Sequence, residues 1–470
     1  MSQENTWRSQ AGFVWSLIGS AVGFANVLSF SAKAYKNGGG AYLIPYLIAL
    51  CVIGIPFLIL EGKVGQRWKA PLVTAYGNVW NKAGKTIGWL AVLACLTIGA
   101  FYIVLTGYSV AYTFFSATNQ IPEDTKTFFV HNFLQATGSI KEFGAFSWSI
   151  FLATGAVGLI SWMVLRHHVR NGIERVCSFF MPLMVVMMAV FAVVVCFLPG
   201  GMGGLVYYLK PNFAKLTDFG LWRDVFGQLF FSLSLGLGII VGYSRHTGES
   251  TNVPRAMFFV AMGDFIVSFI SGVAVFGCLA HISYVQGIPF DQILTTDSTF
   301  EIGFILFPKI LKTFGPLLSQ FVGSVFFFCV FIAGITGVFS IVESIAGNVE
   351  VEFRTSRRKA VGATLTALLV MALFFCRGNA SHLIDALAPM VLGTNMLIGG
   401  LALVFAFSKD LRLRIVAPLI LGTILVGNLW QECHGFDPSK AVRWGWLLGS
   451  LFIATVLSIR RKKEVGVSDF

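Results

Sequence analysis

Charge is what this sequence has least of. Only 12% of its 470 residues are Asp, Glu, Lys or Arg, against 56% apolar, whereas soluble domains carry about 25% charged residues. So little charge cannot cover a soluble surface, which excludes a cytosolic enzyme, a disulfide-stapled secreted domain and a disordered scaffold. The eight cysteines include no CxxC pair; Cys51, Cys95, Cys177, Cys196, Cys278 and Cys329 lie in or against apolar runs and read as small buried hydrophobes. Cys376 and Cys433 fall near one membrane face, and the spacing leaves their pairing open. The seven histidines lack metal-ligand spacing, and no nucleophile–base constellation accompanies them. The net charge of +12 is dispersed in short clusters between apolar runs, which argues against nucleic acid. A cleavable signal peptide is not expected, because the run after Trp7 is long and interrupted by glycine.

Long apolar runs are what the chain has in abundance, with a mean hydropathy of +0.77. A spanning helix needs about 20 mostly apolar residues. Twelve stretches qualify: 10–32, 41–61, 87–116, 144–165, 176–198, 221–243, 256–283, 315–346, 360–376, 384–407, 414–430 and 443–459. The expected fold is an all-α polytopic membrane protein of twelve transmembrane helices, in one domain over 1–470. Of the 34 Lys and Arg, 22 fall on one side of that arrangement and 12 on the other. The richer side should be cytoplasmic, placing both termini inside, in the plasma (inner) membrane. Two outer connections are long, 117–143 and 284–314; the second is expected to cap an entrance.

Two spans carry residues that invite breakage. The first reads Gly19-Ser20-Ala21-Val22-Gly23-Phe24-Ala25-Asn26, and the sixth Ser232-Leu233-Ser234-Leu235-Gly236-Leu237-Gly238. Unwound backbone bares carbonyls for a cation and N–H groups for an anion, and is tolerated only where it lines a cavity. Small residues also permit close helix packing, but the matched positions favour breakage. Five spans separate them, and an odd offset inverts the second copy. The expectation is a 5+5 inverted repeat with broken helices 1 and 6: repeat one over 10–198, repeat two over 221–407, and extra helices over 414–459.

Intramembrane carboxylates are the next signal. Asp264 lies well inside span 7, where a carboxylate costs about 2.5–3.5 kcal/mol, so it needs a cation, a proton or several donors. Glu61 and Glu343 admit structural and functional readings alike. From spacing alone, Tyr102 reads as a packing aromatic.

At these residues the chain resembles the neurotransmitter:sodium symporter family, in its bacterial amino-acid transporter branch. The resemblance rests on Trp7, Gly19 to Asn26, Asn37-Gly38-Gly39-Gly40-Ala41, Pro45-Tyr46, Gly54-Ile55-Pro56 and Glu61. It continues through Gln228, Phe231, Ser232, Ser234, Leu235 and Gly236; Asp264, Ser268, Phe269, Ser271 and Gly272; and Ala333-Gly334-Ile335-Thr336. It covers spans 1–8, with spans 9–12 alike only in hydropathy. It implies a leucine-transporter-like fold and sodium-driven uptake of amino acids or related amines.

Carried over by position, sodium site one would use Ala21, Asn26, Ser232 and Asp264 with the substrate carboxylate. Oxygen ligands suit a hard cation, and a shared carboxylate would couple ion and substrate binding. Sodium site two would use Gly19, Val22, Ala333 and Thr336; Gly337 stands where the family generally has a second hydroxyl, leaving that site one ligand short. Two sodium ions are expected. The substrate pocket would comprise Ser20, Ala21, Phe24, Ala25, Ile98, Tyr102, Phe231, Ser232, Ser234, Leu237, Val338 and Ile341. Tyr102 and the span 1 N–H groups would hold the carboxylate, and span 6 carbonyls the ammonium. The apolar remainder implies a neutral, hydrophobic amino acid.

Tyr46, Gln228, Ser232 and Ser268 match the chloride-binding set of relatives. Asp264 replaces a frequent asparagine beside them, so chloride independence is expected. The gates depart most. Ser29 and, in the best alignment, Ala388 replace an arginine–aspartate pair, leaving Tyr102 and Phe231 to close the outer side. Inside, Trp7 is the expected gating aromatic and Glu4 replaces an arginine; Arg8 with Glu350 or Glu352 would substitute. Partners are the substrate and the bilayer, with a monomer or weak dimer expected. Proton coupling through Asp264 is the alternative within the fold. A non-transporting sensor is the alternative outside it, although the tail after Arg461 is short for a signalling domain.

Overall fold

The computed structural model describes residues 6–294, 302–313, 315–435 and 437–459. Glu4 and the basic cluster Arg460 to Lys463 lie outside them. Among the described residues the chain is helical, with one isolated bridge between Phe146 and Arg377.

Ser9 starts the first helix, α1 (Gln10–Ala21), its hydroxyl accepting the Gly12 N–H at 2.9 Å, as an N-cap should. Val22 leaves the helix in an extended conformation, and helix resumes as α2 (Ala25–Lys36), bent 61° from α1. Ten further helices are long and apolar enough to cross a membrane. They are α3 (Gly40–Trp68), α4 (Leu72–Ala117), α5 (Trp148–Leu165), α6 (Ile173–Cys196), α9 (Val253–Gln286), α10 (Pro316–Glu352), α11 (Arg357–Cys376), α12 (Ala380–Phe407), α13 (Leu411–Cys433) and α14 (Pro438–Ile459). Between α6 and α9 lie two shorter pieces, α7 (Phe219–Ser232) and α8 (Ile239–Ser244).

The break between α7 and α8 has a backbone cause. Ser234, Gly236 and Gly238 adopt left-handed φ of 53°, 79° and 75°, which glycine tolerates and other residues rarely do. At Gly236 a Cβ would lie 2.4 Å from the Met396 carbonyl oxygen, so the unwound segment packs directly on α12. The freed Gly236 N–H donates to Glu61 Oε1 at 2.7 Å. Helix α4 is likewise two pieces: Trp80 and Asn81 depart from helical angles, leaving a short helix before the third span.

Helices α4 and α10 run side by side through the interior and are mostly buried, whereas α13 and α14 are mostly exposed. Outward-facing Val426, Trp430, Leu451 and Phe452 suit a hydrocarbon environment. At the far end of α4, Tyr112 packs among Phe129, Phe133, Phe304 and Phe327 with ring centroids 5.0–6.2 Å apart. Phe304 belongs to the described part of the long 284–314 connection, which is thereby anchored onto the bundle. Cys376 is buried, Cys433 is exposed, and both are free thiols.

Candidate functional site

The two breaks face one another. Asn26, at the start of α2, sends its Nδ2 to Asp264 Oδ1 at 2.7 Å, Ser268 Oγ at 2.8 Å and Ser232 Oγ at 2.9 Å. Its Oδ1 accepts the Gly23 N–H, freed by the break in the first span, at 2.9 Å. Ser232 Oγ also donates to Asp264 Oδ1 at 2.8 Å, and the Tyr46 hydroxyl lies 3.4 Å from Oδ2. Asp264 is fully buried. Among the described residues no Lys, Arg or His pairs with it; its partners are neutral donors. A buried carboxylate satisfied only by neutral groups still favours a cation nearby.

Of the residues expected at sodium site one, Asn26, Ser232 and Asp264 thus meet in one hydrogen-bonded group, and Ala21 ends the helix beside them. The Asp264 carboxylate and the Ser232 hydroxyl are the hard oxygens of this set, the kind that a hard cation prefers, while the Asn26 Oδ1 is taken by the Gly23 N–H. At the second expected site, Gly19 packs on Thr336: a Cβ there would lie 3.2 Å from the threonine Cβ. The Thr336 hydroxyl is 3.2 Å from the Ala333 carbonyl oxygen, and Val22 is the residue at which α1 ends.

Next to the Asp264 group is a narrow cavity of about 40 Å³, room for a few water-sized groups. Of the expected substrate residues, Ser20, Ala21, Ala25, Ile98, Tyr102, Phe231, Ser234, Leu237 and Ile341 line it. The other three do not. Ser232 turns to Asp264, Phe24 meets Tyr102 edge-on at 5.2 Å, and Val338 is buried outside the wall. Gly23, Cys95, Ile239, Gly337, Ser340 and Leu392 complete the lining without having been anticipated. The Ser20 hydroxyl is buried on this wall and has no hydrogen-bond partner among the described residues. Such a group points to a ligand or water that satisfies it.

The four residues of the anion-binding pattern are engaged with protein atoms. Gln228 donates to the Ala25 carbonyl at 2.8 Å and accepts from the Ser29 hydroxyl at 3.0 Å. Ser268 donates to the Asp264 carbonyl at 3.0 Å, while Tyr46 and Ser232 face the Asp264 carboxylate. Ser29 therefore makes a neutral bond between α2 and α7. Tyr102 and Phe231 both line the cavity, but among the described residues the ring partner of Tyr102 is Phe24.

The end of the bundle that carries Trp7 is built otherwise than expected. Trp7 stacks on Tyr243 at 5.5 Å and donates its indole N–H to the Tyr243 carbonyl at 3.0 Å. The Arg8 expectation is corrected: its backbone N–H goes to Glu174 Oε2 at 2.7 Å. Glu352 pairs with Lys85 at 2.6 Å, and Glu350 with Arg245 at 3.7 Å. The buried centre is Glu343, which takes Arg357 at 2.7 Å and Arg245 at 3.4 Å, with His246 at 3.3 Å. Arg245 also donates from Nε to His246 Nε2 at 3.0 Å. Burial first, and then the Arg245 charge, lower the His246 pKa below its ordinary value, so the imidazole is neutral at pH 7.

Comparison with known proteins supplies what geometry cannot. The sequence model of the sodium:neurotransmitter symporter family matches residues 4–125 and 122–465. An uncharacterised sodium-dependent transporter of Methanocaldococcus jannaschii is 32% identical over 383 residues, covering 82% of this chain and 77% of that protein. The sodium- and chloride-dependent GABA transporter 2 of Rattus norvegicus is 27% identical over 79% of this chain and 66% of its own length. A sodium-dependent neutral amino acid transporter of Mus musculus is 30% identical over 58% of this chain and 40% of its own length. The chain belongs to the sodium:neurotransmitter symporter family.

Proposed function

We propose that this protein is a sodium-coupled symporter that imports a neutral, hydrophobic amino acid by alternating access and needs no chloride. The observation that carries the reading is the adjacency of two unlike sites at the helix breaks. One is a largely apolar cavity with the Ser20 and Tyr102 hydroxyls on its wall; the other is the Asp264 oxygen cluster. A zwitterion placed there would set its carboxylate by Tyr102 and the first break, and its side chain against Ile98, Leu237 and Ile341. Among the described residues the cavity wall carries no Asp, Glu, Lys, Arg or His to meet a charged side chain. Sodium at Asp264 would be completed by that same carboxylate, so each would raise the other's affinity.

The fold reading is a single domain of twelve spans, with α1–α2 as the first and α7–α8 as the sixth, both termini cytoplasmic. The 5+5 repeat would pair the two breaks, and α13 and α14 would be additions to it. A tenfold sodium gradient supplies about 1.4 kcal/mol per ion and 100 mV about 2.3 more. Two ions would support roughly 10⁵-fold accumulation and one ion several hundredfold, so the constitution of the second site decides concentrating power. Chloride independence follows if Asp264 supplies the negative charge that an anion would otherwise bring.

The test is uptake of radiolabelled neutral amino acids into proteoliposomes, with inward sodium, with choline, and with chloride replaced by gluconate. Sodium-dependent, chloride-indifferent accumulation is expected. Accumulation in choline driven by outside acid would replace the reading with proton coupling, and binding without uptake would replace it with a sensor.

A further inference from the structure

Gly337 departs from the family resemblance, and it also faces Tyr102. A Cβ at Gly337 would lie 2.7 Å from the Tyr102 hydroxyl, 2.9 Å from Cε1 and 3.0 Å from Cζ. From the opposite side, a Cβ at Gly23 would lie 2.3 Å from the same hydroxyl. The phenol oxygen therefore sits between two glycines, one at the break in the first span and one on α10.

This contact is one rung of an antiparallel register. At Gly99 of α4, a Cβ would meet Ile341 of α10 at 2.9 Å. One turn along, Tyr102 enters the space at Gly337. One turn further, Thr106 enters the space at Gly334, where a Cβ would lie 2.8 Å from its hydroxyl. Each rung sets a larger side chain against a glycine, which lets two helices approach closely. Of the side chains so received by α10, Tyr102 is the one that also lines the cavity.

We infer that Gly337 is a positioning residue for substrate: with Gly23 it sets the depth at which the Tyr102 hydroxyl meets the substrate carboxylate. The inference rests on the proposed reading of the cavity. It also gives the glycine a cause other than the loss of an ion ligand. A serine at 337 would offer a hydroxyl to the second cation site only by displacing the tyrosine. The chain has the tyrosine seated deeply in place of that hydroxyl.

The test is a double-mutant cycle in detergent-purified protein, with tritiated alanine, leucine, phenylalanine and tryptophan as probes at saturating sodium. Gly337→Ala and Gly337→Ser should each raise the Kd of the best-bound probe at least tenfold. In a Tyr102→Phe background, which keeps the ring but lacks the positioned hydroxyl, the same changes should cost less than threefold. Gly323→Ala on the same helix, which crowds Ser116 instead, should stay within threefold of wild type. Equal losses in the Tyr and Phe backgrounds would overturn the inference. So would a tighter sodium half-saturation in Gly337→Ser with no loss of substrate affinity.

If Gly337→Ala does not fold, folding restored by Tyr102→Leu supports the socket, and failure in both backgrounds overturns it. Wild type without sodium-dependent binding would sink the transport reading; the folding rescue then decides the socket on its own.

Discussion

Two buried carboxylates in this molecule are held in opposite ways. Glu343, at the end of the bundle that carries Trp7, is surrounded by Arg245, Arg357 and His246. Among the described residues the Asp264 carboxylate, between the helix breaks, receives only Asn26, Ser232 and Tyr46. A carboxylate fixed by guanidinium groups is neutralised by the protein itself and locks the helices that carry its partners. One surrounded by neutral donors is hydrogen-bonded yet still uncompensated in charge, and it suits a cation that comes and goes. The first arrangement is balanced in charge within the protein; the second is the one that the proposed sodium site requires.

The comparison breaks most severely at Asp264. Asp264→Ala should abolish sodium-dependent uptake, a loss of at least a hundredfold in the initial rate in proteoliposomes. Asp264→Asn sharpens the point, because it keeps an oxygen and a donor but removes the charge. With Tyr46, Gln228, Ser232 and Ser268 still in place, its residual uptake should become stimulated by chloride over gluconate. Residual uptake indifferent to the anion would show that the carboxylate does not stand in for one.

Glu343→Gln attacks the other pole. It leaves Arg245 and Arg357 buried with a neutral partner, and removing one member of a buried ion pair costs about 3–5 kcal/mol. A lower midpoint of thermal unfolding in detergent is expected. Replacing Glu343, Arg245 and Arg357 together by apolar residues of similar volume should recover most of that loss, since the uncompensated charge is then gone. A single mutant as stable as wild type would mean that water or another group satisfies the guanidinium ions.

How legible these two poles were in the sequence differs for a physical reason. The breaks at Gly19 to Asn26 and Ser232 to Gly238 were visible because Gly and Ser are the residues that unwound backbone requires. Asp264 was visible because a carboxylate inside an apolar run is conspicuous. Cys95, Ser340 and Leu392 were missed as cavity residues, since a neutral residue on a helix face has no chemical signature until the opposing face is known. The Glu343 cluster was missed because Arg245 and Arg357 occur at helix ends and read as ordinary cytoplasmic loop charges. Their convergence depends on how the α8 end and the start of α11 pack against α10, which no local pattern encodes. For the same reason Gly337 read as a missing ligand, when its most evident neighbour is an aromatic ring on another helix.

The finest test of the comparison uses pH, because only the inner cluster contains a histidine. His246 is neutral when folded: burial, then Arg245, depress its pKa, while Glu343 beside it acts in the other direction. Arg245, Arg357, Glu343 and Glu350 are the charged groups that face it or its partners. A histidine with a depressed folded pKa contributes its full stability above the unfolded value of about 6.5, and loses it as pH falls through that value toward the folded one. Protonation would also set an N–H at Nε2 against the Arg245 Nε–H that donates to it. The unfolding midpoint of wild type should therefore fall more steeply between pH 7 and pH 5.5 than that of His246→Gln. The difference should be smaller than the Glu343→Gln loss. Parallel pH profiles would mean that Glu343 holds the imidazole charged throughout this range.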